Sequence, residues 1–139
     1  MAGLRLQIVT PEAQIFDGQV ESVTLPGSEG EFGVFPQHNP LLTQLKPGEL
    51  SYVTKEGVKV MVIGGGFVEV TQTDVRVITD LAMKEPEIDE QVVQDALKRA
   101  EEALRSKTLI GEELEATQAT IARSVAQLKL KKKHKTGGF

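Results

Sequence analysis

The sequence predicts an α+β chain in two parts, an N-terminal antiparallel β-sandwich over residues 1–84 and a C-terminal αα-hairpin over 85–139. Three observations carry this. Apolar residues alternate with polar ones at a period of two through the first 84 positions, turn-forming residues punctuate these runs, and after Met83 the period becomes helical.

Within the first part Leu4, Leu6 and Ile8 alternate with Arg5 and Gln7, and Val23 and Leu25 flank Thr24. Val58, Val60 and Val62 alternate with Lys59 and Met61, Val68 and Val70 flank Glu69, and Val75 and Val77 flank Arg76. Turn chemistry falls at Asp17-Gly18, Pro26-Gly27, Pro47-Gly48, Glu56-Gly57, Gly64-Gly65-Gly66 and Thr73-Asp74. That spacing is near the roughly 8–12 residues of a sandwich or barrel, and it gives about eight to ten short strands. The clearest hairpin joins "ELSYVT" to "VKVMVIG" through Lys55-Glu56-Gly57, where glycine supplies a positive φ.

After Pro86, Asp89 can cap or charge the start of a helix over about 88–106, with Val92 or Val93, Ala96, Ala100 and Leu104 on its apolar face. Gly111 closes the connection. Leu114, Gln118, Ile121, Val125 and Leu128 then recur at steps of four and three, the seam of a second helix. Both stripes are thin, so the hairpin buries little area and is expected to be weakly anchored. The tail "KTGGF" has no periodicity and is expected to fray.

Composition narrows the function classes. There is no cysteine, which removes disulfides, thiolate metal sites and cysteine nucleophiles. No apolar run reaches membrane-spanning length and the N-terminus lacks the pattern of a secretion signal, so the chain is expected neither to cross a membrane nor to be exported. A net charge of −4 argues against general nucleic-acid binding. The C-terminal "LKLKKKHK" departs from that balance: Lys129, Lys131, Lys132, Lys133 and Lys135 form a basic end that either complements the helix dipole or seeks an acidic partner.

Catalytic constellations are scarce. His38 and His134, the two histidines, fall in different parts of the architecture, so no paired-imidazole metal site is expected. Ser28, Glu31 and His38 lack a nucleophile-elbow context. "GGGF" at 64–67 lacks the Lys-Ser/Thr ending of a phosphate loop and reads as a strand bend where another backbone comes close. Asp89, Arg99 and Arg123 are ordinary helix residues unless the hairpin folds to join them, in which case they offer phosphate forks and an acid for a nucleotide.

The segments "LPGSEGEFGVFPQHNPLLTQLKPGEL" at 25–50, "GGGFVEV" at 64–70, "VRVITDLA" at 75–82 and "IDEQVVQDALKRAEEAL" at 88–104 resemble the epsilon subunit of F-type ATP synthases, over nearly the whole chain. The resemblance implies a ten-stranded sandwich plus a helical hairpin, on the central rotor between the gamma subunit and the c-subunit ring. It implies a non-catalytic part that couples proton or sodium translocation to ATP synthesis. Glu31, Phe32, Gly33 and His38 match c-ring contact positions, with Leu41 and Leu42 expected to turn inward. A hairpin that extends toward the alpha/beta catalytic hexamer would inhibit hydrolysis, its lysines 129, 131, 132, 133 and 135 meeting an acidic loop of the beta subunits. The implied location is peripheral, attached through the complex alone, on the cytoplasmic face of a bacterial plasma membrane or on a thylakoid or other coupling membrane.

Some members of that family bind ATP on the compact hairpin through an Ile/Leu-Asp-x-x-Arg-Ala motif. Ile88 and Asp89 match it, Val92 and Val93 replace the Arg-Ala pair, Arg99 matches a later arginine and Arg123 lies near another. Loss of one phosphate-pairing arginine costs about 1.5–3 kcal/mol, so weak or absent ATP binding is expected, with no other cofactor. The rival reading is a free nucleotide-sensing module; an enzyme acting through Ser28, Glu31 or His38 stands third.

Overall fold

The computed structural model describes residues 3–106 and 108–135, with side chains as far as Lys132. Ten strands come first: β1 (Leu4–Val9), β2 (Gln14–Val20), β3 (Ser22–Gly27), β4 (Gly30–Val34), β5 (Leu41–Leu45), β6 (Gly48–Thr54), β7 (Gly57–Ile63), β8 (Gly66–Val70), β9 (Asp74–Thr79) and β10 (Ala82–Lys84). A 3-10 turn at Glu85–Glu87 leads into α1 (Glu90–Ser106) and α2 (Gly111–Lys135). The expected frayed tail, beyond Lys135, lies outside the described residues.

The strands hydrogen-bond in the order β10-β7-β6-β3-β5-β8-β9-β1-β2, with β4 paired to β3. The β3–β5 link is narrow, a single register pair at Gly27 and Leu45 reinforced by Lys46 N–H to Pro26 C=O at 2.9 Å. The sheet folds over there, and its far strand comes back against β6, where the Phe16 and Tyr52 rings meet with centroids 4.7 Å apart. Inward residues of both layers, from Leu4, Leu6 and Ile8 to Val75 and Val77, make one core.

The β6–β7 hairpin forms as expected, with Thr54 opposite Gly57 and Gly57 at φ +115. At the triple glycine a Cβ on Gly66 would collide with the Ile78 carbonyl and stand 2.9 Å from Thr79 Cα, so the close backbone approach holds. One pairing departs from the antiparallel expectation: β1 runs parallel to β9, with Leu6 beside Val75 and Ile8 beside Val77. Alternation is the same in either direction, so the first strand's orientation beside a partner some 70 positions away left no local mark.

The second half of β7 is buried on both sides. Met61 and Ile63 enter the main core while Val62, with the half-buried Val60, joins a second cluster containing Ile88, Val93, Ala126 and Leu130. The hairpin is seated on this outer face, folded back on the sandwich. Asp89 caps α1, its Oδ1 accepting from Val92 N–H at 3.2 Å and its carbonyl from Val93 N–H at 3.0 Å. The expected α2 seam is corrected at two places: Val125 is 50 % exposed and Gln118 is exposed, while Ser124, Ala126, Gln127 and Leu130 are buried. A helix wedged between α1 and a sheet needs two buried faces, and one stripe of large apolar residues marks one of them.

Candidate functional site

Three surfaces gather the residues singled out by the sequence. The first is the end of the sandwich formed by β4, β5 and the segment between them. Glu31 and Gly33 are exposed, and Phe32, half-buried, packs against the core. His38 is half-buried with Nδ1 2.7 Å from the Asn39 carbonyl. A carbonyl only accepts, so Nδ1 is the donor in this contact. Gln37, at φ 68, ties the segment to the β8–β9 connection through its N–H to the Gln72 carbonyl at 2.9 Å. Ser28 lies exposed in the β3–β4 turn, its N–H bonded to the Gln44 carbonyl.

Leu42 does not turn inward, and Leu41 does so only in part. Leu42 is 73 % exposed and Leu41 37 % exposed, and Leu45 is the β5 residue that enters the core. Register explains this: Leu42 sits opposite the outward Glu69, whereas Leu41, opposite the buried Val70, is on the inward face but at the first position of the strand. With the exposed Phe35 they leave apolar surface at this end of β5.

The second surface is the helical hairpin, whose folding places Asp89 and Arg123 on one cleft and Arg99 on the next. Asp89 and Arg123 line a cleft of about 210 Å³ with Glu87, Val92 and Gln127. Arg99 lines a neighbouring cleft of about 320 Å³, and Ala96 and Thr120 belong to both. Ile88 is corrected to a packing role: at 2 % exposed it lies in the second cluster and offers no surface to a ligand. Val92 lines the first cleft with an apolar side chain.

The third is the basic end of α2. Lys129 and Lys132 are exposed, whereas Lys131 bonds Glu85 Oε1 at 2.8 Å. The side chains of Lys133, His134 and Lys135 lie outside the described residues. Glu85 and Met83, which receive α2, carry no sequence signal for this role, because their partners are more than 40 positions away.

Residues 3–85 match the family model described as "ATP synthase, Delta/Epsilon chain, beta-sandwich domain". An "ATP synthase epsilon chain" of Ruthia magnifica subsp. Calyptogena magnifica is 35 % identical over 130 residues, 94 % of each chain. The chain belongs to the ATP synthase epsilon-chain family. A chain of the Euglena gracilis mitochondrial ATP synthase, in a structure of its OSCP/F1/c-ring, superposes on this epsilon-family chain with a TM-score of 0.78 at 26 % identity, covering 93 % of this chain and 81 % of that one. A chain from the central stalk and c-ring of the Tetrahymena thermophila mitochondrial enzyme, at 16 % identity and TM-score 0.64 over 93 % and 96 % of the two chains, shares the fold. No helix among the described residues is long and apolar enough to cross a membrane.

Proposed function

We propose that this epsilon-family chain is a non-catalytic rotor subunit that couples proton or sodium translocation to ATP synthesis and restrains ATP hydrolysis through a movable helical hairpin. One observation carries the reading: the hairpin sits on the sandwich through a small, separate cluster. Among the described residues that cluster has five buried apolar side chains, against sixteen in the sandwich core. An element held by so few contacts can leave without unfolding its support.

The sandwich would supply the fixed contacts. Its apolar surface at Phe35, Leu41 and Leu42, with Glu31, Phe32, Gly33 and His38 beside it, suits the c-ring. The outer face of β8 and β9, where the exposed Phe67 and Ile78 lie side by side in register, suits the gamma subunit. The lysines of α2 would meet the beta subunits of the alpha/beta hexamer once the hairpin extends. The complex would hold the chain peripherally, at the cytoplasmic face of a bacterial plasma membrane.

The two adjoining clefts support ATP as a weak regulatory ligand of the compact hairpin, through Asp89, Arg99 and Arg123. Calorimetric titration would read a dissociation constant weaker than micromolar, and a micromolar value would refute it. The main reading is tested by ATP hydrolysis of an alpha-beta-gamma complex with the full chain or a version ending at Lys84. Inhibition by the full chain alone supports the brake; equal inhibition by both, or by neither, overturns it.

A further inference from the structure

Two polar rungs run beside the apolar seat of the hairpin. Lys131 Nζ donates to Glu85 Oε1 at 2.8 Å, and Gln127 Nε2 donates to Met83 Sδ at 3.1 Å. Gln127 and Lys131 are four apart on α2 and share a face, while Met83 and Glu85 are two apart where β10 passes into the 3-10 turn. The rungs therefore fit in one register of the helix along the sheet edge. Apolar burial is non-directional and would tolerate sliding; these bonds would not.

The ion pair is shielded, with 22 % of the Lys131 side chain and 15 % of the Glu85 side chain exposed, so solvent and salt weaken it less than a surface pair. Lys131 also belongs to the basic run of Lys129 and Lys131–Lys133. One ammonium thus stands at the meeting point of two roles. We propose that Lys131 is a shared latch: bound to Glu85 it holds the hairpin compact, and it joins the basic run as a docking cation only after that bond breaks. Glu85 is then a positioning residue that occupies Lys131 in place of an acidic partner surface. Release and docking are coupled, because a partner carboxylate competes with Glu85 for the same cation.

This inference rests on the hairpin being a movable brake, and two readouts on the full chain separate them. In the isolated chain, hydrogen exchange of α2 amides should accelerate about fivefold to tenfold in Glu85→Gln and in Lys131→Gln, with β8 and β9 unchanged. The double swap Glu85→Lys with Lys131→Glu should return exchange to within about twofold of the original. In hydrolysis by the alpha-beta-gamma complex, Glu85→Gln should inhibit more strongly at sub-saturating amounts. Lys131→Gln should not, although its hairpin opens equally, because it has lost a docking cation. Unchanged α2 exchange in Glu85→Gln, or equal inhibition by the two single variants, overturns the shared latch. If α2 exchange rises as stated but removal of residues after Lys84 leaves hydrolysis unaltered, the Lys131–Glu85 contact holds the hairpin and the brake reading fails, which withdraws the docking half of the proposal.

Discussion

Leu130→Ala should loosen the helical hairpin and spare the sandwich. Leu130 is 5 % exposed and packs in the cluster with Val62, Ile88, Val93 and Ala126. Truncating a buried leucine costs about 2–5 kcal/mol, and a seat at the molecular surface can partly collapse, which puts the cost near 2–3 kcal/mol. That is an increase of about 30- to 150-fold in the undocked population. An undocked helix is marginal in water, so its amides become exchangeable. Native-state hydrogen exchange should therefore show α2 amides from Ser124 to Lys131 faster by that factor, with Val68 and Val77 at their original rates. Leu45→Ala, in the main core, should accelerate Val68 and Val77 and leave α2, which exchanges through its own undocking, much less affected. If Leu130→Ala exposes Val68 and Val77 as much as α2, hairpin and sandwich form one cooperative unit and the separate-seat reasoning is refuted.

Other outcomes follow from single contacts. Gly66→Ala should cost about 3 kcal/mol or more and lower the melting temperature by at least about 10 °C, because the Ile78 carbonyl occupies the place of the methyl group; a smaller shift would mean that the strands separate easily. The Arg5 guanidinium, donating at 2.9 and 2.8 Å, holds the Asp17 carboxyl below the usual carboxylate range. A depressed native value gives stability that is present above the unfolded value and lost as pH falls through the native one. Urea titrations should therefore separate wild type from Asp17→Asn at neutral pH, with the gap closing in acid; a constant gap would assign the effect to something other than ionisation. Leu42→Glu should leave the melting temperature within about 2 °C, since the side chain is exposed, while weakening co-purification with a c-ring complex. Unaltered co-purification would remove this apolar surface from the ring interface.

Strand alternation and turn residues made a sandwich of about eight to ten strands legible, with ten implied by the family resemblance, and Asp89 was legible as the start of α1 because capping is local chemistry. Where each apolar face points was less so. In β7 the alternation of Val58, Val60 and Val62 marks the side away from the sandwich core, and the core is met by Met61 and Ile63. The unbroken "VMVI" run at 60–63 was the signal of a strand buried on both faces. Leu42 was expected inward from the family resemblance, but register sends it outward. In α2 a single heptad stripe could not describe a helix with two burial directions. Asp89, Arg99 and Arg123 were visible as chemistry, while the sharing of one cleft by Asp89 and Arg123, with Arg99 on the next, depended on how the helices fold back. The contacts of Lys131 and Gln127 join segments that no local pattern relates.

The parallel pairing of β1 with β9 also orders events during synthesis. β1 is made first, yet one side of it has no partner until residues 74–79 exist. Sequence-distant closure of this kind is slow to form and leaves a strand edge open meanwhile. The hairpin is synthesised only after that edge can close, so α1 and α2 emerge beside a support able to receive them. A nascent chain halted before Asp74 would instead present β1 and β8 as unpaired edges, which makes that stage the point of greatest exposure to aggregation.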